Sequence, residues 1–151
     1  MYEVAPAPAS VRLGRLENNL GYHLRLAQLR AFSAFAEGAA KDALTPSQFA
    51  VLLLIEANPG IKQIELADVL EVDRSTMVRL VDRCEGAKLV RRGSLKTDRR
   101  VAPPVLTARG RALIERLEPA VGRMEAAASG LSLSERTMLL QLLRRSAAAR
   151  Q

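Results

Sequence analysis

The sequence predicts a mainly α-helical fold with one small β-hairpin and long helices at both ends of the chain. Apolar residues recur at helical spacing before residue 57 and after residue 107, which is the pattern of amphipathic helices. Between residues 88 and 106 this period gives way to two short strand-like runs around a turn. At 151 residues the chain has the length of one domain, residues 1–151.

The first predicted helix is apolar over more of its circumference than a surface helix needs. One stripe at helical spacing comprises Leu13, Leu16, Leu20, Leu24, Ala27, Ala31 and Phe35. Four further side chains widen it: Tyr22, Leu26, Leu29 and Phe32.

The second predicted helix has clear signals at both ends. Thr45-Pro46-Ser47-Gln48 is a capping-box pattern with proline at the first helical position. The helix should run through Ala57 with a buried stretch from Phe49 to Ile55, and Asn58-Pro59-Gly60 should end it.

Two short helices follow, separated by a turn. The first spans Lys62 to Leu70, with an inward face of Ile64, Leu66, Ala67 and Leu70. Glu71-Val72-Asp73 is the turn, and the Asp73 carboxylate suits the N-cap of the next helix. A buried stripe on that helix comprises Met77, Leu80, Val81 and Cys84.

The residues off that stripe predict a nucleic-acid contact. They are polar or basic: Arg74, Ser75, Thr76, Arg79 and Arg83. In a helix–turn–helix the second helix enters the major groove, where Arg reads guanine and Ser or Thr bonds to bases or phosphates. The alternative is a solvated helix surface in a small bundle.

A basic hairpin, or wing, is predicted directly after this helix. Leu89 to Arg92 reads as one strand and Val101 to Leu106 as the second, with turn residues from Gly93 to Asp98. Six basic residues and one acid lie between residues 88 and 100 (Lys88, Arg91, Arg92, Lys96, Arg99, Arg100 and Asp98), which leaves five of the formal net charge of +7 there. Such a hairpin suits phosphate contact or minor-groove insertion. We expect Arg91, Lys96, Arg99 and Arg100 to contact DNA and Asp98 to brace an arginine; the alternative is a solvated charge run.

Two helices complete the chain. Thr107 should cap a long helix that reaches about Ala128 and is kinked at Pro119. Ser132 and Glu135 form another capping box, which opens a last helix containing Leu139, Leu140, Leu142 and Leu143.

The run L-V-D-R…L-V-R-R…D-R-R…L-T-A-R-G resembles the multiple antibiotic resistance regulator (MarR) family of bacterial winged-helix repressors. The resemblance covers about Leu44 to Gly110 by motif, and its most specific part is Asp98-Arg99-Arg100 followed by Leu106-Thr107 and Gly110. It implies that Ser75, Thr76 and Arg79 face the major groove and that Arg99 or Arg100 lies near the wing tip.

Three features depart from the family pattern. Cys84 stands where members usually have leucine, and Lys88 stands where they usually have glycine. A left-handed helix end is less favourable for Lys than for Gly, so the helix is expected to end early, near Gly86. Pro103-Pro104 lies inside the second wing strand, where neither residue can donate a ladder bond.

The terminal helices predict a twofold dimer, as the resemblance also implies. We expect residues 1–44 and 111–151 to form a helical dimerisation region around a DNA-binding lobe at 45–110. A twofold dimer would present recognition helices about one DNA turn apart (~34–36 Å) to a pseudo-palindromic operator. The alternative is a monomer with a loose terminal helix.

The resemblance further implies a small-molecule effector, such as an aromatic acid, a phenolic or a CoA thioester. The candidate ligand residues are Tyr22, His23, Leu26 and Arg30 on the first helix and Phe49 and Leu53 on the second. An arginine and a histidine beside apolar side chains suit an aromatic carboxylate. The alternative is that His23 is a partly exposed helix residue and Phe49 a core residue.

Other functional classes have less support in the sequence. Redox regulation through Cys84 is an alternative, although a buried thiol without an activating charge is usually inert. The sequence has neither a catalytic constellation nor a metal-ligand cluster, so we expect no enzyme activity, cofactor or metal. A pI near 10.5 fits a polyanionic partner. Without a secretory signal or a ~20-residue apolar run, we expect a cytoplasmic protein. A non-specific DNA-coating protein and a helical interaction protein are the remaining alternatives.

Overall fold

The structure is a computed structural model that describes residues 10–93 and 102–148. The described residues form six α-helices and a two-stranded antiparallel sheet, as the sequence predicts. In chain order the elements are α1 (Leu20–Gly38), α2 (Pro46–Ala57), α3 (Gln63–Val69), α4 (Arg74–Gly86), β1 (Val90–Arg92), β2 (Pro104–Leu106), α5 (Ala108–Ser129) and α6 (Leu133–Ala148). Among the described residues, no helix combines the length and the apolarity that a bilayer span requires.

The chain divides into two compact units. The winged-helix unit spans Ala39–Pro119, and the terminal unit comprises the described residues up to Gly38 and from Ala120 onward. The boundary within α5 falls at Pro119, and the helix continues through this residue.

The winged-helix unit has a closed apolar core in which α4 packs against α2 and α3. Its most deeply buried side chains include Val51, Leu52, Leu66, Met77, Val81, Ile114 and Leu117. The predicted capping box on α2 is confirmed: Thr45 Oγ1 accepts the Gln48 N–H, and the Gln48 side chain accepts the Thr45 N–H at 2.9 Å. The predicted inward face of α3 is wrong at Ile64, which is 41% exposed. On a seven-residue helix, only Leu66 and Ala67 reach the core fully.

The prolines determine how far the wing strands pair. Val90, Arg91 and Arg92 pair with Leu106, Val105 and Pro104 respectively. The Gly93 N–H donates to the Pro103 carbonyl and the Thr107 N–H donates to the Leu89 carbonyl, so Arg92 and Pro104 form a non-hydrogen-bonded pair. Pro104 therefore removes no hydrogen bond from the ladder, whereas Pro103 has no N–H to donate to the Gly93 carbonyl. Among the described residues the second strand is accordingly shorter than the predicted Val101–Leu106.

A close backbone contact fixes α5 against the start of the wing. The Thr107 hydroxyl donates toward the Lys88 and Leu89 carbonyls and accepts the Gly110 N–H at 3.0 Å, which confirms Thr107 as the cap of α5. A side chain at Gly110 would overlap the carbonyl oxygen of Leu89. Glycine at this position therefore permits the close approach of α5 to the chain.

The terminal unit leaves much of its apolar surface exposed. The expected continuous first helix from Leu13 is wrong, because residues Gly14–Asn18 form a 3₁₀ turn and α1 begins at Leu20. The Asn19 side chain caps the helix that starts after this turn by accepting the Tyr22 N–H at 2.8 Å. The predicted capping box at Ser132 and Glu135 is confirmed. Leu20 is 69% exposed, Met138 is 57% exposed, and no residue of α6 is buried.

Candidate nucleic-acid interface

Helices α3 and α4 form the predicted helix–turn–helix. Glu71 adopts a left-handed backbone conformation (φ 50°) in the turn, and the Val72 N–H donates to the Ala67 carbonyl at 3.1 Å. Asp73 is the N-cap of α4, as its carboxylate accepts the Thr76 N–H at 2.9 Å. This tight turn brings α4 back across α3 and leaves its first turn facing outward.

One face of α4 is buried and the opposite face carries the predicted reading residues. Met77, Val81 and Cys84 are each 0% exposed. Arg74, Ser75, Arg79 and Arg83 are exposed and Thr76 is half-buried. The positions of these five residues agree with the predicted outward face, and their contact with DNA remains a prediction.

The polar residues in the first turns of α4 form one hydrogen-bond network. Asp73 accepts the Ser75 hydroxyl at 2.5 Å and the Thr76 hydroxyl at 2.7 Å. The Thr76 oxygen in turn accepts an N–H from Arg79 Nη2 at 2.9 Å. The Ser75 and Thr76 bonds hold the pKa of Asp73 well below its usual range, so the carboxylate is ionised at neutral pH.

The C-terminal end of α4 is a left-handed helix cap despite the absence of glycine there. The last helical residue is Gly86, but the expected reason for this end is wrong, because Lys88 itself adopts the left-handed conformation (φ 60°). The Leu89 N–H donates to the Cys84 carbonyl and the Lys88 N–H donates to the Glu85 carbonyl, at 2.9 and 2.8 Å. This is the Schellman pattern, in which a non-glycine residue carries a conformational penalty.

An ion-pair cluster joins β1 to α4. Arg92 pairs with Asp82 and also lies 3.5 Å from Glu85, and its side chain is only 22% exposed. Arg92 therefore links β1 to α4. Because Arg92 is paired with acidic side chains, it adds less to the positive charge available for the predicted DNA contact.

Of the other wing residues predicted to contact DNA, one lies among the described residues. Arg91 lies on β1 with an exposed side chain. Lys96, Asp98, Arg99 and Arg100 lie outside the described residues, so the proposed arginine contacts and the brace by Asp98 stay predictions.

The six candidate ligand residues lie on two helices, one in each unit. On α1, Tyr22 and Leu26 are half-buried, whereas His23 and Arg30 are exposed. The His23 Nε2 lies 2.8 Å from the Glu17 carbonyl oxygen, and the Tyr22 ring meets the His23 ring edge-on at 5.3 Å. On α2, Phe49 is buried and Leu53 is half-buried. Their joint role as a ligand site stays a prediction.

Cys84 lies in the core of the winged-helix unit. Its residue is fully buried, and burial raises the pKa of the thiol to about 11. A thiol of this kind reacts slowly, because the thiolate is the reactive form.

Two residues that organise this surface, Asp82 and Glu85, were not predicted, and neither was a second role of Thr107. Asp82 and Glu85 follow each other at helical spacing on α4, and an acidic pair beside a basic strand was a usable signal for the Arg92 ion pairs. The second role of Thr107, which ties the Lys88–Leu89 corner to α5, had no local signal.

Comparison with known sequences identifies a family. The sequence profile described as the MarR family matches residues 44–101. A protein of Thauera aromatica, whose name assigns it to regulation of the hcr operon, is 37% identical over 134 residues, which cover 87% of this chain and 81% of that protein. The transcriptional repressor NicR of Pseudomonas putida is 31% identical over 83% of this chain and 80% of its own length.

Solved structures give the same result. The transcriptional repressor CouR, bound to a 23-mer DNA duplex, superimposes with a TM-score of 0.82 at 38% identity and covers 92% of this chain and 99% of its own. CouR bound to p-coumaroyl-CoA superimposes with a TM-score of 0.77 at 37% identity, over 92% of this chain and 98% of its own.

Proposed function

Because this chain belongs to the MarR family of winged-helix transcription regulators, we propose that it is a homodimeric repressor. It binds a pseudo-palindromic operator through α4 and the wing, and a small aromatic effector releases it. The observation that carries this proposal is the division of α4 into a fully buried face and an exposed face of Arg74, Ser75, Arg79 and Arg83.

The exposed face of α4 has the chemistry that base reading requires. Arg79 offers a planar set of N–H donors that matches the O6 and N7 acceptors of guanine. Arg74, Arg83 and Arg91 are exposed cations that can neutralise phosphates. The DNA complex of CouR supports this assignment, since that protein is similar to this chain over nearly its whole length.

The proposed dimer would cover the apolar surface of the terminal unit. Exposed apolar side chains lie on both of its chain segments: Leu16, Leu20, Leu24, Leu133, Met138, Leu139, Leu140, Leu142 and Leu143. Exposed apolar side chains in this number are a feature of interaction surfaces. A second copy of the chain is the occupant that also satisfies operator symmetry, because a twofold dimer presents two recognition helices to successive major grooves.

The proposed effector is an aromatic acid, a phenolic or a CoA thioester of such an acid. The complex of CouR with p-coumaroyl-CoA supports this class. We propose that Tyr22, Leu26, Phe49 and Leu53 contact the aromatic part, and that Arg30 and His23 bind acidic groups. Release follows if the effector binds more tightly to the conformation whose recognition helices no longer match successive grooves.

Two other functions make different predictions. A redox-responsive regulator needs a reactive thiol, and the burial of Cys84 disfavours it. A non-specific DNA-coating protein would use the same basic surface without distinguishing sequences.

The experiment is an electrophoretic shift with DNA from the region upstream of the protein's own gene, against scrambled competitor. A panel of aromatic acids and their CoA thioesters is added to the preformed complex. The proposal predicts selective binding that one compound relieves. Equal affinity for both DNAs with no response to any compound would contradict it and support DNA coating.

A further inference from the structure

The hydrogen-bond network of Asp73 fixes which of the side chains of Ser75, Thr76 and Arg79 donate and which accept. A hydroxyl carries a single proton. Ser75 and Thr76 both give theirs to the Asp73 carboxylate, at 2.5 and 2.7 Å. Only oxygen lone pairs therefore remain for other partners of these two side chains.

One of the two lone pairs of the Thr76 oxygen accepts an N–H from Arg79 Nη2 at 2.9 Å. The guanidinium has five N–H groups, so four remain for other acceptors. The bond to Thr76 also selects one orientation of a long side chain that would otherwise sample many rotamers.

We propose that Asp73 is a positioning residue that sets the base preference of α4 without touching a base. It holds Ser75 as a hydrogen-bond acceptor, and through Thr76 it aims Arg79 as a donor. This inference rests on the proposed function, because it specifies what the DNA-binding helix reads.

The fixed donor and acceptor roles determine which base edges Ser75 and Arg79 can bind. An acceptor at Ser75 matches the amino groups of adenine N6 or cytosine N4 in the major groove. Arg79 as a donor matches guanine O6 and N7. Ser75 in this state is a poor partner for phosphate oxygens, which are themselves acceptors. Backbone positioning is then left to Arg74, Arg83 and Arg91, which are exposed.

The test is Asp73→Asn, because asparagine caps a helix about as well as aspartate. Its carbonyl oxygen can replace the Asp73 oxygen that accepts the Ser75 hydroxyl and the Thr76 N–H. Its amide nitrogen replaces the oxygen that accepts the Thr76 hydroxyl and can only donate, so the direction of the network is no longer fixed. The matched control is Asp68→Asn, which makes the same charge change at an exposed residue of α3.

Binding is measured for wild type and both variants against a library that carries every base at every operator position. For Asp73→Asn we expect the preference at one or two positions in each half-site to change by about tenfold. For Asp68→Asn we expect one common factor for all sequences, because a distant charge acts on phosphates alike. A common factor for Asp73→Asn as well would overturn the inference and leave Asp73 as a helix cap.

Two further results separate the possible failures. If wild type itself shows no base preference, the proposed function fails and the inference falls with it. If Asp73→Asn does not fold, Thr76→Val replaces it, since valine keeps the shape and removes the acceptor for Arg79. A preference for guanine as strong in Thr76→Val as in wild type would then overturn the inference.

Discussion

The two units of this molecule treat apolar residues in opposite ways. In the winged-helix unit, leucine, isoleucine and valine side chains from α2 through the first half of α5 close into one core. In the terminal unit, α6 buries none of its residues and α1 exposes Leu20 and Leu24. The chain therefore contains one unit with a closed core that presents polar residues on α4, and one unit whose exposed apolar surface is the basis of the proposed dimer.

Substitutions in the two units should affect different properties of the protein. Substitutions in the winged-helix unit should act on its stability or on DNA binding at any protein concentration. Substitutions on the terminal unit should act on assembly, and their effects should depend on concentration.

The largest effect is expected for Leu142→Glu on α6. A carboxylate buried without a partner in a dimer interface costs about 3 kcal/mol or more, so the dissociation constant should rise at least about a hundredfold. Sedimentation equilibrium measures the change, with Gln141→Glu on the same helix as the control for charge. A dimer as tight as wild type would show that α6 does not form the interface.

Gly110→Ala tests the close contact in the winged-helix unit. The added methyl group would overlap the carbonyl oxygen of Leu89, and forcing atoms into a packed site costs about 1–3 kcal/mol. Denaturant unfolding measures the loss. Gly86→Ala is the control, because an added Cβ there meets nothing within 4 Å and alanine favours a helix. Equal stability of the two variants would refute this account of the α5 contact.

Cys84 tests whether the core is as closed as its burial indicates. With a thiol pKa of about 11, about one thiol in a thousand is ionised at pH 8. We expect native labelling by a disulfide reagent to be at least about a hundredfold slower than labelling in denaturant. A labelling rate in the native protein close to that of the denatured chain would support the alternative of redox regulation.

The same thiol predicts a pH dependence of stability. The folded pKa is raised above the ordinary value of 9.0, so the protonated thiol contributes its full effect below about pH 9. That contribution is lost as the pH rises from 9 toward 11, because the unfolded chain ionises first. In Cys84→Ala the fall in unfolding free energy over this range should be shallower, and an identical slope would contradict the assignment.

The smallest effect is expected for Lys88→Gly. Glycine adopts the left-handed conformation of Lys88 without penalty, so the winged-helix unit should gain about 1 kcal/mol or less. The adjacent Ala87→Gly is the control and should destabilise, since Ala87 has a right-handed conformation. Thermal unfolding distinguishes the two, and a loss of stability in Lys88→Gly would count against the cap described above.

Local patterns were enough to predict most of the fold. Thr45, Asp73, Thr107 and Ser132 all cap the helices that the sequence assigned to them, because capping depends on residues three positions apart. The positions of Met77, Val81 and Cys84 on a buried face followed from helical spacing in the same way.

The features that the sequence could not predict depend on side-chain hydrogen bonds to the backbone or on contacts between separate elements. Asn19 offers the Tyr22 N–H a side-chain acceptor, and α1 begins at Leu20 directly after it, although the apolar spacing continues back to Leu13. The pairing of Arg92 with Asp82 depends on how the wing lies against α4, a relation that no local period encodes. On the candidate interface, residue types and faces were predictable, whereas the bond directions set by Asp73 required side-chain positions.

The measurement that tests the central claim most directly is a titration of the operator duplex with wild type and Arg79→Ala, repeated with a scrambled duplex and at several salt concentrations. Arg111→Ala, at an exposed arginine of α5, is the matched control. We predict that Arg79→Ala binds the operator more weakly by about 1–3 kcal/mol, and that its affinities for operator and scrambled DNA lie closer together than those of wild type. Arg111→Ala should keep the wild-type ratio of the two affinities. Unchanged affinity and selectivity in Arg79→Ala would contradict the claim that this protein reads DNA through α4.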